Sequence, residues 1–206
     1  MNRGLFITLE GGEGAGKTTS IAFVRTFLEQ AGKKVVQTRE PGGTALGEKI
    51  RSLLLEGRDA MHADTELLLM FAARAEHVAR VILPALSAGT YVVCDRFTDA
   101  TYAYQGGGRG LPAARIRVLE EWVQQGLRPD LTFLLDISVD KGLTRAGQRS
   151  TPDRFERETV DFFERVRQTY LATASNEPQR IKLIDAGQGL PQVEQQLRAV
   201  LEAVIR

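Results

Sequence analysis

With 206 residues, 43% of them apolar and 26% charged, the chain can build one full core and has the usage of an ordinary globular protein. A net charge of +1 excludes the global charge excess that a nucleic-acid or membrane-surface partner calls for. No apolar stretch is long enough to span a membrane and no signal-peptide pattern leads the chain. The single cysteine, Cys94, excludes an internal disulfide, so a reducing cytoplasm is the expected location.

The run Leu5–Glu10 reads as a strand covered on both faces. Directly after it, Gly11 to Thr18 read Gly-Gly-Glu-Gly-Ala-Gly-Lys-Thr, the G-x-x-x-x-G-K-T pattern of a phosphate-binding loop. Its glycines let backbone N–H groups turn toward phosphate oxygens, and the helix that follows adds the positive end of its dipole. In such a loop Lys17 reaches the outer phosphates and the Thr18 hydroxyl ligates Mg²⁺. The helix is expected over Thr18–Ala31, ended by Gly32. Val35–Arg39 is the second strand. It runs into Arg39-Glu40-Pro41-Gly42-Gly43-Thr44, where proline and glycines force a turn but do not account for the Arg-Glu pair.

A helix over Thr65–Ser87, capped by Asp64 and kinked or ended by Pro84, carries Phe71, Arg74 and His77. Phe71 and Arg74 fall on one face. The pair suits stacking on and hydrogen bonding to a base, or equally a core Phe with a solvent-facing Arg. His77 has no evident partner and reads as structural. Tyr91–Asp95 is the third strand, with Cys94 as a small buried residue. Asp95 at its end is placed to hold Mg²⁺ or its water shell, the alternative being a surface carboxylate. Arg96 beside it suits bidentate contact with a phosphate. Thr98–Gly110 reads either as a substrate-facing segment before a mobile glycine run or as a flexible surface loop.

A helix over Pro112–Gln125 and a strand over Leu131–Asp136 follow. Residues 145–157 hold Arg145, Arg149, Arg154 and Arg157 among Gly and Pro, which suits a lid closing on phosphates. Thr159–Ser175, Ile181–Asp185 and Pro191–Ile205 complete a helix–strand–helix ending. Strands alternating with helices predict an α/β fold in which a parallel five-stranded sheet carries helices on both faces, within one domain over 1–206. Ligands then sit at the carboxyl ends of the strands, where Glu10, Arg39, Asp95 and Asp136 lie.

Together these motifs resemble the bacterial thymidylate kinases, of the nucleoside-monophosphate kinase group within the P-loop NTPase fold. The similarity rests on Glu10 to Thr19, Arg39-Glu40-Pro41-Gly42-Gly43-Thr44, Asp95-Arg96-Phe97, Tyr104-Gln105-Gly106-Gly107-Gly108-Arg109-Gly110 and the arginine-bearing lid. The resemblance implies phosphoryl transfer from ATP to dTMP with Mg²⁺, and a homodimer. It implies that Gly11, Gly12, Glu13, Gly14, Ala15, Gly16, Lys17, Thr18 and Thr19 bind ATP, with Thr18 and Asp95 at the metal. Glu13 meets the sugar 3′-hydroxyl, Phe71 stacks on thymine, and Arg74 hydrogen-bonds the base near Thr101 and Gln105. Tyr104 presses against the sugar and disfavours a 2′-hydroxyl. Arg39 and Arg96 hold the acceptor phosphate, and a lid arginine, Arg149 first and Arg145 second, joins Lys17, Asp95 and Arg96 in catalysis. The phosphate loop carries no basic residue besides its lysine, as in the lid-arginine type.

Another nucleoside-monophosphate kinase or a deoxynucleoside kinase is the nearest alternative. A nucleoside acceptor would need a general base and not two acceptor-side arginines. A hydrolysing nucleotide switch would need a guanine signature such as Asn-Lys-x-Asp, which the chain lacks.

Overall fold

The computed structural model describes residues 3–56, 61–147 and 153–205. Five parallel strands form one sheet: β1 (Phe6–Glu10), β2 (Val35–Arg39), β3 (Tyr91–Asp95), β4 (Leu131–Asp136) and β5 (Ile181–Asp185), in the order β2-β3-β1-β4-β5. All five coincide with the apolar runs of the sequence to within a residue. Every residue of β1 is buried, as a central strand covered on both faces must be, whereas the edge strand β2 has no fully buried residue and the edge strand β5 mixes buried and open positions. The strand order reverses between β1 and β3, which leaves a crevice at their carboxyl ends. The register sets Leu9 beside Asp95, so the loop after β1 and the turn after β3 share that crevice.

Helices α1 (Lys17–Gln30) and α9 (Leu190–Val204) cover one face, where Ile7 and Leu9 meet Val24, Leu28, Leu197 and Leu201. On the other face Phe6, Val92 and Cys94 pack against Val78, Ile82, Leu86 and Phe97. Cys94 is fully buried, and burial pushes its thiol up, away from reactivity.

The expected helix at 65–87 is present but starts earlier and changes geometry. α3 (Ala63–His77) is capped by His62, whose Nδ1 accepts from the Asp64 amide, so Asp64 lies inside the first turn rather than at the cap. After α3 the chain makes a π-helical stretch, Val78–Ile82, before α4 (Leu83–Ser87). Proline has no N–H to return to the preceding turn, and the wider turn just upstream of Pro84 carries the helix past it without a break.

Three further stretches are helical that the sequence pattern did not assign to helices. α2 (Ala45–Glu56) starts at Thr44, whose Oγ1 accepts from the Gly47 amide. α5 (Thr98–Thr101) continues as a π-helical stretch, Tyr102–Gly108, and α7 (Val139–Gly147) follows β4. The glycine run is therefore not a mobile loop. It lies against α8 (Val160–Asn176), where a Cβ on Gly107 would come within 2.1 Å of Thr169 Oγ1 and one on Gly108 within 2.4 Å of the Phe162 ring. α6 (Ala113–Gln124) falls one residue inside each end of the expected Pro112–Gln125. Among the described residues no helix is long and apolar enough to cross a membrane.

Candidate active site

The phosphate loop turns on Gly11, Gly14 and Gly16 at φ 139°, 68° and 88°, conformations that only glycine adopts freely. Gly16 is the N-cap of α1, so the first amides of that helix face the loop. The Lys17 ammonium lies across the loop and donates to the carbonyls of Gly11 (3.1 Å) and Gly12 (3.0 Å). Burial, and then Arg96, lower its pKa. α7 presses on the loop from behind. A Cβ on Gly14 would stand 2.0 Å from the Gly142 carbonyl oxygen, and one on Gly142 would stand 2.4 Å from the Glu13 carbonyl oxygen.

Asp95-Arg96-Phe97 turns sharply out of β3, with Arg96 at φ 65°. Glu10 pins that turn: its Oε1 accepts from the Phe97 amide (2.7 Å) and its Oε2 from the Tyr170 hydroxyl of α8 (2.7 Å). Burial, and then Asp99, push the Glu10 carboxyl up to about 8. One Arg96 nitrogen donates to Glu13 Oε1 (2.6 Å) and lies 2.9 Å from the Tyr104 hydroxyl, which itself donates to Glu13 (2.8 Å). Burial alone would raise the Glu13 carboxyl; Arg96 and Lys17 beside it, with these hydrogen bonds, outweigh that and hold it at about 2. Arg96 Nε and Asp95 Oδ1 are buried without a hydrogen-bond partner.

Beyond Arg96 opens a cavity of about 200 Å³. Its walls come from Glu13 and Arg96, from Glu40, Pro41, Arg51 and Leu55, from Met70 and Arg74 of α3, from Phe97, Ala100, Thr101, Tyr104 and Gln105, and from Asp153, Phe155 and Glu156. Thus Glu13, Arg74, Arg96, Thr101, Tyr104 and Gln105, separated widely in sequence, line one space. Arg74 is not solvent-facing. Its Nε donates to Glu40 Oε2 (2.7 Å), one terminal nitrogen donates to Thr101 (2.9 Å), and the other, Nη1, is buried without a hydrogen-bond partner. His77 does have partners: Nδ1 lies 2.9 Å from Glu40 Oε1, and Nε2 lies 2.6 Å from Thr38 Oγ1. It braces the carboxylate that holds Arg74.

Two expected acceptor contacts are displaced. Phe71 is buried with Leu67 and Ile116, its ring 4.7 Å from the Arg74 guanidinium carbon, and does not line the cavity; its neighbour Met70 does. Met70 and Arg74 stand at i, i+4, and that row, not the i, i+3 row of Phe71 and Arg74, faces the cavity. Arg39 is paired with Glu48 (2.7 Å) and lines a neighbouring cleft of about 420 Å³ with Thr18, Thr38 and Asp95. Arg51, on the helix the sequence pattern missed, lines the cavity instead and donates to the Pro41 carbonyl (2.9 Å). Burial, and then Arg39 and Arg96, lower its pKa, the mark of cations gathered without enough counter-charge. A helix-start signal at Thr44 was the sequence cue that could have found it.

The lid expectation fares unevenly. Arg149 lies outside the described residues. Arg145 is turned to the Ala186 carbonyl just past β5, to which it donates (3.0 Å). Arg154 is not free for a phosphate: it donates to the Leu54 carbonyl (2.7 Å) and pairs with Glu66 (2.7 Å).

Among the described residues no three His, Cys, Asp or Glu side chains gather as a metal site. A Mg²⁺ ion held largely by nucleotide oxygens and water needs only one or two protein oxygens. The partnerless Asp95 Oδ1, in the same cleft as Thr18, fits that requirement.

Comparison with known proteins agrees with this geometry. A family profile described as thymidylate kinase matches residues 9–197. A thymidylate kinase of Pseudomonas putida is 58% identical over 203 residues, covering 98% of this chain and 97% of its own. One of Nitrosomonas eutropha is 54% identical over 202 residues, covering 98% and 94%. The crystal structure of thymidylate kinase from Ehrlichia chaffeensis superposes with a TM-score of 0.80 at 33% identity, over 97% of this chain and 99% of that one. Sheet order, phosphate loop and cavity thus carry the signature that sequence similarity reports over nearly the whole length, and the chain belongs to the thymidylate kinase family.

Proposed function

We propose that the chain transfers the γ-phosphoryl group of ATP to dTMP, giving dTDP and ADP, with dTMP in the cavity and ATP on the phosphate loop. The observation that carries this reading is Arg96, which bonds Glu13 of the loop and lies against Tyr104 of the cavity wall. Donor and acceptor phosphates would meet at that guanidinium. Gly11 to Gly16 and Lys17 bind the ATP phosphates, with Thr18 and Thr19 at the helix start. Asp95 and Thr18 would hold Mg²⁺, which when bound would supply charge neutralisation at the phosphate oxygens. Arg96 and Arg51 hold the acceptor phosphate, with Arg39 at the rim toward the metal cleft. Arg74, Thr101 and Gln105 read the base against Met70 and Phe97, Glu13 takes the sugar 3′-hydroxyl, and Tyr104 closes the 2′ side.

A nucleotide monophosphate is already largely dianionic near neutral pH, its second pKa being about 6. No strong general base is needed; the work is bringing two anions together in line, which arginines accomplish by charge and position. Arg149 is the catalytic lid residue in this reading, and Arg145, turned toward Ala186, is secondary. The resemblance that supplies the substrates also supplies a homodimer and a cytoplasmic setting. The exposed Leu68 and Val118, which flank one groove between α3 and α6, and Trp122 one turn along α6 support an interface there.

The test is ADP production from Mg-ATP with dTMP, dUMP, dCMP, dGMP, AMP and thymidine as acceptors. Turnover strongest with dTMP is expected. Turnover with thymidine but not dTMP, or acceptor-independent ADP release, overturns the proposal.

A further inference from the structure

Glu66 on α3 is fully buried, a costly place for a carboxylate. It is held by three donors from two other parts of the chain. Gln105 Nε2 donates to Oε1 (2.8 Å), Arg109 Nε approaches both oxygens (3.2 and 3.3 Å), and Arg154 Nη1 pairs with Oε2 (2.7 Å). Both oxygens already accept from guanidinium groups, so Glu66 has only acceptor capacity left to offer Gln105.

That settles the orientation of the Gln105 amide, which in isolation could lie either way round. Only its NH₂ end can face Glu66, because the carbonyl end would set oxygen against carboxylate. The carbonyl is turned away from Glu66, and Gln105 is a wall of the cavity. The same cavity is lined by Arg74, whose Nη1 is a buried donor without a hydrogen-bond partner. The base end of the cavity thus offers a fixed acceptor and a fixed donor. A pyrimidine with an N3–H and a 4-carbonyl matches both. One with a bare N3 and a 4-amino group opposes acceptor to acceptor-side nitrogen and donor to donor.

We propose that Glu66 is a positioning residue which locks the Gln105 carbonyl toward the base and so makes the site choose N3–H pyrimidines over cytosine. This rests on the thymidylate kinase reading of the cavity and deepens it. A site built around hydrogen-bonding groups rejects a mismatched ligand far more strongly than a purely apolar one does.

The experiment measures kcat and KM for dTMP and dCMP in the unaltered protein, in Glu66→Gln, in Gln105→Met and in the double variant. A glutamine at 66 can donate as well as accept, which frees the amide at 105 to turn over. The expected result is a dTMP-to-dCMP ratio of kcat/KM reduced at least tenfold in each single variant, mostly through a higher KM for dTMP. The double variant should lose no more selectivity than either single one. An unchanged ratio in Glu66→Gln, with both substrates slowed equally, overturns the proposal, as does a double variant whose selectivity loss is the product of the two. Should Glu66→Gln not fold, Glu66→Asp keeps the charge but withdraws it from Gln105; the same loss of ratio is expected, and a retained ratio overturns the idea. Failure of the unaltered protein to use dTMP would overturn this proposal together with the function it rests on, whereas good dTMP turnover with ratios insensitive to position 66 overturns this one alone.

Discussion

Met70 and Phe71 are adjacent in sequence and about 100° apart around α3, which separates a cavity-lining side chain from a core residue. Replacing Met70 with Ala should raise the KM for dTMP about 5- to 30-fold, the loss of one apolar side chain against the base, with kcat little changed. Phe71→Leu should leave that KM within about twofold and instead lower the denaturation midpoint, since Phe71 is 2% exposed among Leu67 and Ile116. A high KM in Phe71→Leu with normal stability would reverse the assignment. Arg51→Ala should weaken dTMP by about 10- to 100-fold, as loss of a charge-assisted contact does, whereas Arg39→Ala, already paired with Glu48, should cost less than about fivefold. Steady-state kinetics with varied dTMP separates the two. The sequence pattern placed Phe71 and Arg74 together correctly. It could not say which row of the helix faces the cavity, because i, i+3 and i, i+4 neighbours are equally close and only the packing of α2 and α6 on α3 chooses between them.

Elements with strong periodicity or a long apolar run were legible, and so were all five strands. Of those missed, α5 and α7 are short and the stretch after α5 is built on residues that ordinarily mark loops, whereas α2 is twelve residues long and had its start signal at Thr44. Gly106-Gly107-Gly108 carries no helix propensity, yet α8 packs so closely there that any side chain at 107 or 108 collides with Thr169 or Phe162. Gly108→Ala should therefore destabilise the fold by about 1–3 kcal/mol, read as a lower urea midpoint, by overpacking and not by any change in backbone freedom. A midpoint equal to that of the unaltered protein would mean that α8 gives way. Glu10 ties α8 to the Arg96 turn through Tyr170, and its raised pKa makes that tie pH-dependent. Because the folded pKa of about 8 lies above the ordinary carboxyl value of 4.5, Glu10 contributes fully below pH 4.5, and its contribution drains away as pH rises through 8. Thermal unfolding of Glu10→Gln should decline less between pH 5 and pH 8 than that of the unaltered protein; parallel curves would show that Glu10 does not titrate in that window.

At the scale of the whole molecule, the sheet order brings three sequence-distant motifs to one crevice, the phosphate loop after β1, the Glu40–Pro41 turn after β2 and the Arg96 turn after β3. Alternation of strands and helices announced a parallel sheet with ligands at its carboxyl edge. The ion pairs that arrange the cavity, Arg74 with Glu40 and Arg96 with Glu13, span 34 and 83 residues, and no local pattern carries such partnerships. Outside the sheet, Leu68, Val118 and Trp122 are 56%, 64% and 74% exposed, more apolar surface in one region than solvent favours. Leu68→Glu combined with Trp122→Glu should convert a dimer into a monomer in sedimentation velocity at micromolar concentration while leaving the helical content unchanged. An unaltered chain that already sediments as a monomer would exclude the homodimer.

Gly14 and Gly142 meet main chain to main chain, each where the other's side chain would have to be. Most crowded positions can be rescued by trimming a neighbouring side chain; here the neighbour is a carbonyl oxygen, which no substitution removes. In a saturation library scored for growth, both positions should accept glycine alone, and no second-site change at either should rescue the other. The phosphate loop and the helix behind it are in this sense inherited as a single unit, although more than a hundred residues separate them in the chain.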